Sequence, residues 1–471
     1  MATFHILNFG CRASQADGAA LKTQLVQAGF VEAADPQASY IAILNTCTVT
    51  AAADAEVRQT IRRIHRLNPG CKILVTGCYA QRAPQEIAAL EGVAWVVGNS
   101  HKHQVIDLLR DHLAEIPEAS PVAESPGGDF SRAVGERCGP DRVEASRFPE
   151  VRVGVIAPQF HFIPAFPDDR TRPTLKVQDG CNARCSFCII PTVRGRSRSL
   201  PPEQAVNHIR ALEQAGYQEV VISGINLGSY GRDLDRRTTF LGLLEKILSE
   251  TRIPRLRISS IEPMDVNREL IAFVARERRM ADHFHVPLQS GCDRILRQMN
   301  RRYWAAQYAE RILAIRETMP NCGIGADVMV GFPGETNDDH AVSARFIDSL
   351  PFTYLHVFPY SARPSTPAAM RKDQVNGRIA HERGAELHAL AARKRREFLT
   401  AQVGRVLSAV TLDEAHSGGR RAISSNYLNI TLPAGDPGAH QLVNISVRRV
   451  HEDHLFGHVS EGDGSTLATQ A

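Results

Sequence analysis

Three closely spaced cysteines form the most specific chemical motif of the sequence. Cys181, Cys185 and Cys188 follow the pattern C-x-x-x-C-x-x-C. Three thiolates on one short loop can hold three irons of a 4Fe-4S cluster and leave the fourth iron open for another ligand. A structural zinc site is the alternative, but it would need a fourth protein ligand and usually shows paired C-x-x-C motifs. No second pair follows here, so the spacing favours a cluster with one open iron.

A second set of cysteines lies near the N-terminus, where each follows a short apolar run. Cys11, Cys47 and Cys78 come after FHILNF, YIAILN and KILVTG, and helix-like stretches separate these runs. The alternation predicts a βαβα unit, and parallel strands end at one edge of a sheet, where ligands bind. The three thiols are therefore expected to converge, although three buried core cysteines remain the alternative. Cys71 begins the third strand, about 20 Å from Cys78 at ~3.3 Å per residue, and is excluded.

Six strand-then-helix units position the first motif. The apolar segments are TLKVQDG, EVVISGINL, RLRISSIEP, HFHVPLQSG, IGADVMVGF and TYLHVFPYS. Such repetition predicts a full or partial β/α barrel, whose chemistry belongs to the C-terminal rim of the strands. Cys181 follows the first of these strands, so the cluster loop is expected on that rim.

The remaining segments complete an α/β chain of several domains. We predict an N-terminal parallel α/β sheet domain at 1–115, a linker or surface excursion at 116–169 and the barrel at 170–403. Short alternating runs such as VLSAVTL and LVNISVRRV predict a small all-β domain at 404–462, followed by a tail at 463–471.

Composition excludes several classes of protein. The 471 residues are 43% hydrophobic and 23% charged, which is typical of a soluble globular chain, and no apolar run approaches the ~20 residues of a membrane span. The start, MATFHILNFGC, has no export signal, so we expect a cytoplasmic protein with no membrane partner. Ten cysteines in such a chain indicate metal, redox or burial roles rather than disulfides. The net charge of +4 is compatible with nucleic acid but does not demonstrate it.

The motifs resemble a known family. The cluster loop, with aromatic Phe187 before its last cysteine, resembles the radical S-adenosylmethionine (SAM) superfamily. Together with NFGC, LNTCTVTAAADAEVRQTIRR and VTGCYAQ, the segment QDGCNARCSFCIIPTVRGRSRS resembles the methylthiotransferases. The resemblance covers nearly the whole chain and implies that the small all-β domain is a TRAM domain. It also implies two 4Fe-4S clusters, one on each cysteine set, with SAM on the open iron of the barrel cluster.

The resemblance also implies which residues contact SAM and RNA. Expected SAM contacts follow the barrel strands and are Phe187, Gly224, Ser260, Glu262, Gln289, Gly331 and Gly334. Expected tRNA contacts are Arg194, Arg196 and Arg198 beside the cluster loop, and Arg420 and Arg421 in a predicted turn of the β domain. No side chain is assigned as a general acid or base, because radical abstraction needs positioning more than proton transfer.

Within the family, GINLGSYGRDL, RLRISSIEPMD and VRGRSRS resemble the branch acting on N6-threonylcarbamoyladenosine in tRNA. The expected reaction puts a methylthio group on C2 of that nucleoside beside the anticodon, with a low-potential electron donor and a sulfur source as partners. The alternatives are another methylthiotransferase substrate, isopentenyladenosine in tRNA or a ribosomal-protein aspartate, and a non-catalytic RNA-binding redox sensor. Ser14 and Cys292 depart from the family pattern without removing an expected cluster ligand.

Overall fold

The computed structural model describes residues 2–114, 149–160, 171–235, 237–416, 419–435 and 437–460. The chain forms two compact units. The first comprises Met1–Phe9, Gln24–Thr48 and Ala52–Ile156, and the second comprises Gly10–Thr23, Val49–Ala51 and Ala157–Ala471.

The first unit is built on a six-stranded parallel sheet in the order β2-β1-β3-β4-β5-β6. Its strands are β1 (Thr3–Asn8), β2 (Val31–Glu32), β3 (Ile41–Thr46), β4 (Lys72–Gly77), β5 (Val93–Gly98) and β6 (Glu150–Arg152). The helices of this part of the chain are α1 (Arg12–Gln27), α2 (Ala51–Leu67), α3 (Cys78–Arg82), α4 (Pro84–Ala88) and α5 (Val105–Ala114).

Burial explains why this sheet forms. All six residues of β3 are buried, as expected for a central strand of a parallel sheet covered on both faces. In α2, Val57, Ile61 and Ile64 recur at helical spacing and are buried, whereas Arg62 and Arg63 are exposed. The predicted βαβα unit is confirmed. β6 lies inside the segment expected as a linker and instead pairs with β5.

The second unit contains six parallel strands in chain order, each followed by helical segments. The strands are β7 (Thr174–Asp179), β9 (Glu219–Gly224), β10 (Arg255–Ile258), β11 (His283–His285), β12 (Gly323–Val330) and β13 (Tyr354–Pro359), with a short antiparallel β8 (Arg198–Ser199) beside β7. The helices are α6 (Ile190–Arg194), α7 (Pro202–Gln214), α8 (Phe240–Glu250), α9 (Arg268–Arg276), α10 (Asp293–Gln298), α11 (Ala305–Thr318), α12 (Asn337–Ser349) and α13 (Gly377–Thr400).

These strands form a partial barrel, which confirms the predicted architecture. They are arranged as β10-β9-β7-β8 and β11-β12-β13, and a parallel bridge between Ser260 and His285 joins the two groups. Alternate residues of each strand, such as Ile324, Ala326 and Val328 of β12, pack in one large apolar cluster with the helices. Residues between them face the opposite side of the sheet, the inside of the barrel.

A small closed barrel follows α13. Its strands are β14 (Val406–His416), β15 (Gly419–Ser424), β16 (Asn429–Leu432), β17 (Leu442–His451) and β18 (His454–Val459). They close in the order β14-β15-β16-β18-β17 around a separate apolar cluster. An all-β domain is thus confirmed at this position.

Several sequence expectations lie outside the described residues: the segments 116–148 and 161–169 of the linker and the tail at 463–471. None of the helices in the described ranges combines the length and the apolar character that crossing a bilayer requires.

Candidate active site on the barrel rim

The loop carrying the first cysteine motif begins directly after β7. Gly180 has φ +72°, and a Cβ there would lie 2.0 Å from the carbonyl oxygen of Arg196, so only glycine fits before Cys181. The Cys181 amide donates to the Gly195 carbonyl at 3.0 Å. Farther along the loop, the Ser186 amide and hydroxyl donate to the carbonyls of Met299 and Gln298, at 2.9 Å and 2.8 Å. These bonds hold all three cysteines on one fixed loop at the barrel rim.

The surroundings of the thiols suit metal-bound thiolates. Burial raises the pKa of the Cys188 thiol to about 12 and also raises the pKa of the Cys181 thiol. A thiolate at these positions therefore needs a positive partner at neutral pH, which iron provides. Hydrogen-bond donors also face the sulfurs: Arg301 Nη1 lies 3.3 Å from Cys185 Sγ, and Asn226 Nδ2 lies 3.8 Å from Cys181 Sγ. The donor set fits an iron–sulfur cluster.

Arg301 was missed by the sequence analysis. Its side chain is 7% exposed and forms an ion pair with Glu262, in addition to its contact with Cys185. The residue follows α10, more than a hundred positions after the cysteines, so no local pattern marks it. Glu262, expected to contact SAM, is thereby held beside the cluster loop by a buried cation.

Other rim residues present unpaired polar atoms. The side-chain oxygens of Gln289 and Asn226 are buried and have no hydrogen-bond partner among the described residues. Buried polar atoms are rarely left unpaired, so a polar ligand with N–H groups, such as SAM, fits here. Gln289 also has φ +65°, which turns the chain sharply after β11. Phe187 packs edge-on against Phe332, with ring centroids 6.5 Å apart.

The expected SAM-contacting glycines have packing reasons of their own. At Gly224 an added Cβ would lie 2.9 Å from Leu227, and at Gly331, where φ is +72°, it would lie 2.6 Å from the Cβ of Ala380. Gly334 has φ +79°, and its carbonyl accepts a 2.6 Å bond from Arg294. Ser260 is exposed at the end of β10. Close packing alone therefore accounts for Gly224 and Gly331, and a SAM contact at these glycines stays a prediction.

The second cysteine set follows neighbouring strands of the N-terminal sheet. Cys47 and Cys78 come directly after β3 and β4, whose last residues, Thr46 and Gly77, are paired in register. Both cysteines are buried, at 4% and 1% exposure. Gly77 has φ +99°, and a Cβ there would lie 2.4 Å from the Thr46 carbonyl oxygen. Two thiols therefore share one sheet edge.

The other cysteines of this region differ in position. Cys11 follows β1 after two intervening residues and is exposed immediately before α1, with its Sγ 3.7 Å from Ser14 Oγ. Cys71 precedes β4 and is buried at the opposite end of that strand, as predicted. Cys292 is buried at the start of α10, with its Sγ 3.3 Å from Asp339 Oδ1.

Two arginines expected to contact RNA belong instead to a buried ion-pair network. Arg194 is 1% exposed and donates to Asp179 at 3.0 Å and to Asp17 at 3.1 Å. Arg198 is 9% exposed and lies 3.4 Å from Asp179. Although burial opposes its ionisation, Lys176, Arg194 and Arg198 hold the pKa of Asp179 well below its usual range. Arg194 and Arg198 stabilise the base of the cluster loop, and the expectation of an RNA contact is wrong for both.

The other three arginines reach the surface. Arg196 is exposed beside the cluster loop, and Arg420 and Arg421 are half-buried. These two lie in strand β15 rather than in a turn, because their backbones pair with Leu432 and Thr431 of β16. Arg421 forms an ion pair with Glu414 and donates to Asn429 at 3.2 Å.

Two known families match separate parts of the chain. Residues 3–98 match the family described as uncharacterized protein family UPF0004, and residues 175–347 match the radical SAM superfamily. The solved structure of the radical SAM methyltransferase TsrM from Kitasatospora setae superposes with a TM-score of 0.54 at 16% identity, covering 79% of this chain and 77% of that one. This likeness shows the shared fold.

Curated relatives extend over nearly the whole chain. The threonylcarbamoyladenosine tRNA methylthiotransferase MtaB of Aquifex aeolicus is 35% identical over 89% of this chain and 94% of its own. The MtaB protein of Bacillus subtilis is 35% identical over 87% of this chain and 85% of its own. The tRNA-2-methylthio-N(6)-dimethylallyladenosine synthase of Pelotomaculum thermopropionicum is 28% identical over 98% of both chains. With a cluster loop on a radical SAM barrel and this extent of similarity, the chain belongs to the radical SAM tRNA methylthiotransferase family.

Proposed function

We propose that this protein transfers a methylthio group to C2 of N6-threonylcarbamoyladenosine beside the anticodon of tRNA. The observation that carries the proposal is the cysteine loop on the barrel rim in a chain 35% identical, over most of its length, to relatives named for this reaction. The dimethylallyladenosine synthase is less similar, at 28% identity.

Two 4Fe-4S clusters and SAM are the cofactors that this reaction requires. Cys181, Cys185 and Cys188 would hold one cluster, and Cys11, Cys47 and Cys78 would hold the other. When bound, the barrel cluster supplies the electron that cleaves SAM to a radical, and the second cluster handles the sulfur. The chain itself positions the reactants: Phe187, Glu262 and Gln289 would contact SAM together with Gly224, Ser260 and the loop from Gly331 to Gly334.

The macromolecular partner is tRNA. Arg196, Arg420 and Arg421 would bind its phosphates or stack on its bases. The β domain, proposed to be a TRAM module, carries two of these arginines. A low-potential electron donor and a sulfur source complete the partners, and the reaction belongs in the cytoplasm.

Nucleoside mass spectrometry tests the proposal. In tRNA from cells lacking this gene, we expect the 2-methylthio derivative of threonylcarbamoyladenosine to disappear while threonylcarbamoyladenosine itself accumulates. Expression of the intact chain should restore the product. Loss of the dimethylallyl derivative instead would assign the other tRNA substrate, and persistence of both products would contradict a methylthiotransferase acting on tRNA.

A non-catalytic redox sensor makes a different biochemical prediction. Anaerobically reconstituted protein given SAM and a reductant should release 5′-deoxyadenosine if the chain is the proposed enzyme. Absence of this product from protein with full iron content would favour the sensor.

A further inference from the structure

A row of three polar side chains crosses the inside of the barrel. His285 of β11, Asp327 of β12 and His356 of β13 lie on adjacent strands. In each strand the residues on either side pack in the apolar cluster with the helices, as Phe284 and Val286 do beside His285. Because side chains alternate along a strand, all three polar groups face the interior of the barrel.

Asp327 fixes the orientation of both imidazoles. Its Oδ1 lies 3.1 Å from His285 Nε2 and 3.1 Å from His356 Nδ1. Although burial opposes its ionisation, the hydrogen bonds from the two histidines hold the pKa of Asp327 well below its usual range. An ionised carboxylate can only accept, so each histidine donates to it, and His356 is left with Nε2 for another group.

At the buried end of the row, His285 takes part in further hydrogen bonds. His285 Nδ1 lies 3.0 Å from Tyr354 Oη, which is 2.8 Å from His283 Nε2. Exposure to solvent rises along the row: the side chain of His285 is 7% exposed, that of Asp327 is 27% exposed, and that of His356 is 61% exposed. Within the described part of the chain, His356 Nε2 has no hydrogen-bond partner. The row therefore leaves one oriented imidazole nitrogen, Nε2 of His356, available to a ligand.

The row of His285, Asp327 and His356 lies next to the end of the barrel where SAM is proposed to bind. The Asp327 carbonyl accepts the amides of Leu288 and Gln289, at 3.1 Å and 2.8 Å. A parallel bridge also joins His285 to Ser260, two residues after the end of β10. The row is thus one layer below the rim residues proposed to contact SAM.

We propose that His356, oriented by Asp327, is a specificity-determining residue that hydrogen-bonds the polar substituent on N6 of the target adenosine. The inference rests on the proposed function. A threonylcarbamoyl group carries carbamoyl, hydroxyl and carboxylate groups, which can pair with an imidazole, whereas a dimethylallyl group has no polar atom. A site built to hydrogen-bond its ligand discriminates strongly against one that lacks the group, because the polar atom of the site is then left unpaired.

The test uses protein with both clusters reconstituted, and two tRNAs that differ only in the substituent on N6, threonylcarbamoyl or dimethylallyl. For His356→Phe we expect kcat/KM on the threonylcarbamoyl tRNA to fall about tenfold or more, which is the loss of one strong hydrogen bond. Release of 5′-deoxyadenosine and the visible spectrum of the clusters should be retained. His356→Gln should recover part of the activity, and Asp327→Asn should resemble His356→Phe. His440→Asn, which breaks the exposed His440–Asp413 pair, is the matched control and should be unchanged.

Three results would overturn the inference. One is an unchanged preference for threonylcarbamoyl tRNA in His356→Phe while the wild type is active. Another is equal loss of methylthio product and of 5′-deoxyadenosine in that variant, which indicates general damage to the site. The third is about one equivalent of zinc bound by the cluster-loaded protein and lost in Asp327→Asn, which would assign the row as a metal site. Inactivity of the wild type on both tRNAs would instead contradict the proposed function.

Discussion

At the scale of single residues, the cluster loop shows why three cysteines alone do not make a site. The thiols are partly buried, and burial disfavours the thiolates that bind iron. Arg301 and Asn226 donate toward two of the sulfurs and reduce this cost. Hydrogen bonds to cluster sulfurs also influence reduction potential. Arg301, which pairs with Glu262 as well, would therefore tune the potential of a cluster held by Cys185.

Replacement of one loop cysteine tests whether the two cysteine sets are independent. In Cys185→Ala we expect about half of the iron to remain after reconstitution, because only one cluster loses a ligand. SAM cleavage should be abolished. Iron analysis and measurement of 5′-deoxyadenosine check the two expectations. Cys71→Ala, which removes a buried thiol outside both sets, should keep full iron and SAM cleavage. Loss of all iron from Cys185→Ala would show that the clusters depend on each other.

At the scale of secondary-structure elements, a buried charge cluster holds the strands of the partial barrel to the small β-barrel. Glu219 at the start of β9 is fully buried and accepts from Arg257 Nε at 2.7 Å and from Arg172 Nη1 at 3.2 Å. Arg257 also donates to the carbonyls of Ser424 and Ser425, at 3.0 Å and 2.9 Å. The cluster therefore links β9, β10 and the end of β15.

Breaking this cluster should destabilise the protein. Glu219→Gln leaves Arg257 buried without its counter-charge, so we expect a loss of about 3–5 kcal/mol in the free energy of unfolding. Chemical denaturation followed by circular dichroism measures it. Glu250→Gln, which breaks an exposed pair with Lys246, should leave the free energy of unfolding nearly unchanged, because solvent screens an exposed ion pair. Equal effects of the two substitutions would contradict a structural role for the buried cluster.

The same cluster predicts a pH dependence of stability. Burial opposes ionisation of Glu219, but Arg257 and Arg172 outweigh it and lower the pKa of this carboxyl. A carboxyl whose pKa is lowered on folding contributes stability above its unfolded pKa, about 4.3, and loses that contribution as pH falls below it. In acid, stability of the wild type should therefore fall more steeply than that of Glu219→Gln. Parallel curves from pH 5 to pH 3 would contradict this account.

At the scale of the whole molecule, the net charge of +4 is too small to attract RNA by itself, so RNA binding depends on local patches of basic residues. The exposed Arg196 and the half-buried Arg421 can meet phosphates, whereas Arg194 cannot because it is 1% exposed. An arginine as deeply buried in ion pairs as Arg194 contributes to fold stability and not to binding.

Substitution of the accessible arginines should weaken tRNA binding. For Arg196→Gln and Arg421→Gln we expect lower affinity for tRNA. The plot of log K against log salt should also become shallower, with a slope smaller in magnitude by about 1 for each phosphate that the variant no longer neutralises. Filter binding over a range of salt concentrations measures both. Arg210→Gln, which removes an exposed arginine paired with Glu250 on the outer helix α7, is the control. A slope unchanged in all three variants would exclude Arg196 and Arg421 from the RNA interface.

Much of the architecture could be predicted from local patterns. Apolar runs of strand length followed by helical periodicity identified the six barrel strands and three strands of the N-terminal sheet, because burial on both faces requires continuous apolar residues. The short strands β2, β6 and β8 were missed, since two or three residues carry no periodic signal, and β5 was also missed although it has six buried residues. β6 forms only through pairing with β5, far away in the sequence.

The sequence by itself determined the chemistry that this chain can perform, because the spacing of Cys181, Cys185 and Cys188 along a few residues is a local property. Only the tertiary structure decided what surrounds them. It placed Arg301 against Cys185, buried Arg194 and Arg198 in ion pairs, and aligned His285, Asp327 and His356 across three strands. The physical reason is that burial and pairing depend on residues brought together from distant segments. In the sequence, an arginine that will contact a phosphate cannot be distinguished from one that will pair with a buried carboxylate.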